Sequence, residues 1–292
     1  MRYGLLAYAT RNIGDDIQSV AARRFLPRVD LRVDREHLDR VEGDEPVKLI
    51  LNGWFAHRPE HWPPAPQIEP LFISFHITRS ILPLNEGGLR ASDVLVRGAS
   101  LEYLRRYQPI GCRDLSTVEL LEAHGVDSYF SACLTLTLEN RRHEREDVTY
   151  FVDVPDDVVR FVSARRGGVM RVISHEAAIT DSIESRDARA ETLLDRYAGA
   201  ALVVTSKLHC ALPCVALGTP VVFLVEDASE DRLRGLCELT RHFTAAEILS
   251  GAAPVDWTQP GPNPSGAGQL RRSLVERCAT FFRGVSARSA DR

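Results

Sequence analysis

The sequence predicts an α/β fold built on parallel sheets, and three observations carry that expectation. Short apolar runs alternate with longer segments of helical spacing, separated by turns or polar junctions. Several of the short runs are apolar at consecutive positions rather than alternating ones, as in strands covered on both faces by helices. The chain has 292 residues, which at roughly 150 residues per domain predicts two domains or one large one. With 44% hydrophobic and 26% charged residues, disorder, collagen-like repeats and coiled coil are excluded as descriptions of the whole chain.

In chain order, strands are predicted over 3–8, 48–51, 71–74, 109–112, 148–152, 170–174, 201–205 and 221–225, all rich in β-branched or aromatic residues. Helices are predicted over 16–25, 100–107, 115–124, 185–197, 208–217, 229–239 and 269–282. Asp114 is an N-cap for the third of these and Gly125 its stop. Pro213 implies that the helix over 208–217 starts late, near Ala211, or is kinked. The run 139–147 contains no apolar residue and reads as a linker, dividing the chain into Rossmann-like domains 1–140 and 141–292. The stretch 251–268, with four prolines and four glycines, reads as irregular surface chain. No repeat with a period between 20 and 50 residues is present.

Charge and composition limit the function classes. Thirty-six basic against 40 acidic side chains give a net charge of −4, without the basic excess that drives binding to nucleic acid. No apolar run approaches the roughly 20 residues of a membrane span, and residues 1–10 are too short for a signal-peptide core. The expected location is the cytoplasm. The basic residues Arg271 and Arg272, together with the end 283–292, are either a contact to the inner membrane surface or a solvated tail. Six scattered cysteines without metal-ligand spacing point to packed, reduced thiols and no metal site.

Three strand-to-helix junctions could carry chemistry. In the first, 11–16, Gly14 allows a tight turn, and Asp15 is either a base or hydroxyl-binding group, or a helix cap. The spaced glycines of a dinucleotide fingerprint are absent. In the second, 110–116, Arg113 stands one position before a helix cap, beside exposed backbone N–H groups that with it would receive phosphate or carboxylate; a surface pair with Asp114 is the alternative. In the third, Lys207 and His209 stand where a strand ends and an apolar helix begins, suiting an anionic substrate with His209 as proton donor or acceptor. Weaker candidates are Asn52, Gly53, Trp54 and His57 after the second predicted strand, and His76, which could line the same cleft, Trp54 and His57 by stacking on a sugar; packing is the commoner role of such an aromatic or His, and Ser131, at the end of the first domain, is expected to line the cleft from the hinge side.

Taken in order, Asn12-Ile-Gly-Asp15, Leu51-Asn-Gly53, Gly111-Cys-Arg-Asp-Leu-Ser116, Phe130-Ser-Ala-Cys-Leu-Thr135, and Ser206-Lys-Leu-His209 with Gly218-Thr-Pro220 resemble the polysaccharide pyruvyl transferase family over about residues 3–225. The resemblance implies two Rossmann-like domains in a GT-B-like arrangement with the active site in the interdomain cleft. It also implies phosphoenolpyruvate as donor substrate, no further cofactor, and a sugar, glycan or lipid-linked glycan as acceptor. Under it, His209 and Asp15 are catalytic, with Asp15 and Arg113 supplied by the N-terminal domain and Lys207 and His209 by the C-terminal one. Arg113, Lys207, Leu208, Asn12, Gly14, Asn52, Gly53 and Ser131 bind substrate. Lys207 departs from the arginine usual in the family, replacing a bidentate fork by a point charge. A nucleotide-sugar glycosyltransferase and an inactive binding relative are the alternatives, because fold does not fix function.

Overall fold

The computed structural model describes residues 1–81, 88–140, 142 and 144–283. The chain forms two compact α/β units. Unit 1 comprises Met1–Tyr8, Gln18–Leu134 and the chain from Leu270 onward; unit 2 comprises Ala9–Ile17 and Thr135–Gln269. Relative to the expected halves, three segments change sides, one of them 135–140, which belongs to the second unit. Residues 9–17, with Asn12, Gly14 and Asp15, belong to the second unit, so Asp15 is not supplied by the N-terminal unit. Most of the last helix, from Leu270 to Arg283, belongs to the first.

Unit 1 is built from β1 (Arg2–Ala7), most of α1 (Gly14–Arg23), β2 (Leu31–Asp34), β3 (Val47–Trp54), β4 (Ile68–His76), α2 (Ala91–Leu95), α3 (Gly98–Arg106), β5 (Ile110–Cys112), α4 (Leu115–Glu122) and β6 (Ser128–Phe130). All six strands are parallel in the order β2-β1-β3-β4-β5-β6. Its core joins Leu6, Leu49, Leu51, Phe55, Phe72, Phe75 and Ile110. Burial of such large side chains is worth about 1.5–3 kcal/mol each, which is why these consecutive apolar runs form central strands.

Unit 2 contains β7 (Glu146–Val152), α5 (Asp156–Arg166), β8 (Val169–Ile173), α6 (Ile183–Gly199), β9 (Ala200–Thr205), α7 (Leu208–Leu217), β10 (Val221–Leu224), β11 (Arg241–Phe243) and α8 (Ala245–Ser250). Its five strands are again parallel, ordered β11-β10-β9-β7-β8. The core here is Phe151, Val158, Val162, Leu202, Val204, Val222 and Ile248. The closing helix α9 (Ala267–Arg283) supplies unit 1 with Phe282, whose ring lies 5.8 Å from that of Tyr3, and with Arg277, 3.9 Å above the Tyr129 ring.

The expected strands are present, but the chain over 229–239 is not an α-helix. It forms two short 3-10 turns, Asp231–Leu233 and Cys237–Leu239. Between them Gly235 takes φ 83°, a left-handed conformation that ends any helix. The polar run 139–147 does not stay a linker throughout, since Glu146 and Asp147 already belong to β7; its Arg141 and His143 lie outside the described residues, as do 284–292 of the basic end. All six cysteines are free and buried. Among the described residues no helix is long and apolar enough to cross a membrane.

Candidate functional site

In unit 2 the relevant groups gather where β7, β8 and β9 end, the edge of a parallel sheet at which open α/β folds bind ligands. Asp153, one residue beyond β7, holds φ 50°, a conformation that costs a non-glycine residue about 1 kcal/mol or more. Its side chain accepts the His175 backbone N–H at 2.9 Å, and its carboxylate faces Lys207 Nζ at 3.8 Å. Its carbonyl accepts the Ser206 hydroxyl at 2.5 Å. One strained residue thus ties three strand ends together beside Lys207.

The helix after β9 is kinked. His209 has φ −80° and ψ 16°, outside helical geometry, and the N–H groups of Cys210 and Ala211 both donate to the Lys207 carbonyl at 3.0 Å. Of the two expected ways to accommodate Pro213, the break upstream is the one adopted. It buries His209 while Lys207 and Leu208 stay partly exposed. Gly14 lies against that imidazole so closely that a Cβ there would meet His209 Cβ and Nδ1 at 2.9 Å.

The loop bearing Gly14 is fixed within the same unit. Asn12 bridges to Glu176, the Ile13 N–H donates to the His175 carbonyl at 2.9 Å, and Asn12 Oδ1 accepts the Gly14 N–H at 3.0 Å. The Thr10 hydroxyl donates to the half-buried Asp15 carboxylate at 3.1 Å. Asp16 is engaged by Arg186, which donates to its two oxygens at 3.1 and 2.7 Å and to the Thr10 carbonyl at 2.8 Å. Burial pushes the Asp16 carboxyl above its ordinary range, against the lowering by Arg186.

Cys210, next to His209 in the chain, belongs to a buried polar cluster that sequence reading missed. His175 Nε2 is 2.6 Å from the Tyr197 hydroxyl. Burial opposes ionisation of the Cys210 thiol, but hydrogen bonds from Cys214 and His175 outweigh it and bring it down to about 6. Tyr197 and Cys214 are pushed well up, chiefly by burial. Asp153 carried one available signal, an acid directly after an apolar run; His175 and Tyr197 carried none, being brought together by tertiary packing alone.

Unit 1 places Arg113 between β5 and α4. It is 1% exposed, its backbone N–H donates to the Phe75 carbonyl at 2.8 Å, and its guanidinium lies 5.6 Å from the Trp54 ring centroid. Its Nε is 3.7 Å from Asp114. The pair is therefore buried, and the surface-pair alternative does not apply. Asp114 caps α4 through the Thr117 N–H at 3.0 Å and meets His76 Nδ1 at 2.5 Å. Burial alone would raise the Asp114 carboxyl, but His76, Arg113 and Ser116 outweigh it and hold it below its ordinary range.

The Trp54 and His76 rings are 4.8 Å apart. Ser131 donates its hydroxyl to the Cys112 carbonyl at 3.0 Å and accepts the Ser74 N–H at 3.0 Å, so it braces the strand ends. Asn52 is buried beside Gly53 at the bulge between β3 and β4, and neither end of its carboxamide meets a protein hydrogen-bond partner. Gly53, at φ 100°, needs the conformational freedom of glycine. Asn12, Gly14, Asp15, Lys207, Leu208 and His209 are thus together in unit 2, whereas Asn52, Gly53, Arg113 and Ser131 are in unit 1. Among the described residues no three His, Cys, Asp or Glu side chains are placed to hold a metal ion.

Among curated proteins none matches this chain. Among solved structures it is similar to a functionally uncharacterized protein of Klebsiella pneumoniae subsp. pneumoniae NTUH-K2044, KP1_0663. The identity is 10%, covering 80% of this chain and 86% of that one, with a TM-score of 0.44. The family model for polysaccharide pyruvyl transferases matches residues 12–227, from the loop of Asn12 to beyond β10. With the match spanning both strand-end clusters just described, the chain belongs to the polysaccharide pyruvyl transferase family.

Proposed function

We propose that this protein transfers the pyruvyl group of phosphoenolpyruvate to two hydroxyls of a sugar in a cell-surface polysaccharide or its precursor, forming a cyclic ketal and releasing phosphate. The observation that carries the reading is the junction around His209. There a buried imidazole at a helix break adjoins Lys207 and packs on Gly14, next to Asp15. A basic side chain at a strand-to-helix junction suits a donor bearing carboxylate and phosphate, and Arg113 offers the same chemistry in unit 1. The GT-B-like arrangement with a cleft between the units is part of this proposal.

In the proposed reaction, protonated His209 delivers its proton to the methylene carbon of the enolpyruvyl group, leaving an oxocarbenium-like centre. Asp15 takes the proton of the first sugar hydroxyl, whose oxygen attacks that centre. Phosphate leaves with its bonding electron pair, the second hydroxyl closes the ring, and its proton departs with phosphate. Asp15 returns its proton to His209 through solvent. Arg113 and Lys207 offset the charge of the carboxylate and the leaving phosphate.

The test is a phosphate-release assay. His209→Ala should abolish turnover while phosphoenolpyruvate still raises the unfolding temperature of the variant; full activity of the variant removes His209 from the mechanism.

A further inference from the structure

The chain of unit 2 leaves β7 for β8 on one side of it and returns through α6 to β9 on the other, in the order β11-β10-β9-β7-β8. The connections after β7 and β9 therefore run in opposite directions across the sheet. The crevice at the carboxyl ends of two such strands is where doubly wound sheets take their ligands. Asp153 directly follows β7 and Lys207 stands two residues beyond β9, so the two flank that point.

The backbone around both residues is held, while their charged ends are not. Asp153 Oδ2 accepts the His175 N–H at 2.9 Å, the Asp153 carbonyl accepts the Ser206 hydroxyl at 2.5 Å, and the Lys207 N–H donates to Thr205 Oγ1 at 2.9 Å. Asp153 Oδ2 and Lys207 Nζ, in contrast, are 3.8 Å apart, too far for a hydrogen bond. Among the described residues neither Lys207 Nζ nor Asp153 Oδ1 has a hydrogen-bond partner. The Asp153 and Lys207 side chains are 19% and 41% exposed, so a ligand can reach them. An ion pair of this separation and exposure stabilises a fold little, and the left-handed backbone of Asp153, at φ 50°, costs a non-glycine residue at least as much. Holding the carboxylate for a ligand accounts for that cost where folding does not.

We infer that Asp153 is a specificity-determining residue that binds a hydroxyl of the acceptor sugar through Oδ1, beside the donor anion that Lys207 receives. A carboxylate only accepts hydrogen bonds and an ammonium only donates them. A phosphate or carboxylate suits Lys207 and is repelled by Asp153, whereas a neutral hydroxyl donates to Asp153. The pair thus sorts an anion and an alcohol into adjoining positions, the juxtaposition that transfer from an anionic donor to a hydroxyl needs. As an assignment to the acceptor, the inference rests on the pyruvyl transfer proposed above.

The test uses the full chain and two probes, phosphoenolpyruvate observed by thermal unfolding, and methyl hexopyranosides (galacto, gluco and manno) observed by saturation-transfer NMR with phosphoenolpyruvate present. Asp153→Asn keeps an oxygen for the His175 N–H and a residue type that tolerates the left-handed backbone, and removes only the charge. It should weaken hexoside binding about tenfold, as expected for loss of a charged acceptor, and leave a phosphoenolpyruvate shift at least as large as that of the parent protein. Asp153→Gly relieves the backbone strain, should have the same two effects, and keeps the test open if the first variant fails to fold. Three results overturn the assignment: unchanged hexoside affinity in the folded variants, no hexoside binding by the parent, or a parent phosphoenolpyruvate shift that the variants lose together with hexoside binding. Hexoside binding lost in the variants without any phosphoenolpyruvate shift in the parent leaves the hydroxyl subsite standing and removes the pyruvyl reading instead.

Discussion

At Gly14 the backbone passes so close to His209 that a hydrogen fits and a methyl group does not. The atoms it would meet include the His209 Cβ, which cannot swing aside as a long side chain would. Gly14→Ala should therefore destabilise unit 2 by about 1–3 kcal/mol, the usual cost of overpacking, and cut phosphate release more than tenfold by displacing the imidazole. Parent-like turnover would show that His209 needs no such seat. In unit 1 the same scale of argument applies to Asp114, whose carboxyl lies below its ordinary value of 3.8 when folded. Its ionised form stabilises the fold above that value, and the contribution is lost as pH falls through the lower folded value. Asp114→Asn keeps a capping oxygen but loses the charge opposite His76. It should cost about 2 kcal/mol at neutral pH, and the difference from the parent protein should shrink below pH ~4. A pH-independent difference in denaturant titrations would assign the cost to packing.

Among elements, the loop 9–17 depends most on a single contact. Arg186 is 1% exposed and bidentate to Asp16, so Arg186→Met leaves a carboxyl buried without its counter-charge. A loss of about 3–5 kcal/mol is expected on chemical denaturation, and an unchanged midpoint would show that the bridge to Glu176 suffices alone. The long-range partner explains why sequence read this loop only in part. Gly14 and Asp15 are visible as a strand-to-helix junction, but that the loop joins the second unit depends on Arg186 and Glu176, more than 160 residues away in the chain. The central strands were legible because a run such as 201–205 is apolar at nearly every position. β2, β6 and β11 were not, being three or four residues long and only half buried. Over 229–239 the apolar residues Leu233, Leu236, Cys237 and Leu239 are buried as expected, but Gly235 lets separate turns do it.

For the molecule as a whole, sequence conveyed which chemistry-bearing residues stand at strand ends: Arg113, Lys207 and His209 all occupy such positions. It did not convey the side chains that hold them. Asp153, His175 and Tyr197 owe their places to the packing of strands and helices in unit 2, which adjacent residues do not encode. The central claim is the proposed use of phosphoenolpyruvate as donor, and thermal unfolding with added ligand tests it most directly. At a hundredfold excess over its dissociation constant a bound ligand adds about 2.7 kcal/mol of stability. Phosphoenolpyruvate should raise the midpoint of the parent protein and fail to do so in Arg113→Ala, with UDP-glucose and GDP-mannose silent in both. A shift with a nucleotide sugar and none with phosphoenolpyruvate would contradict pyruvyl transfer.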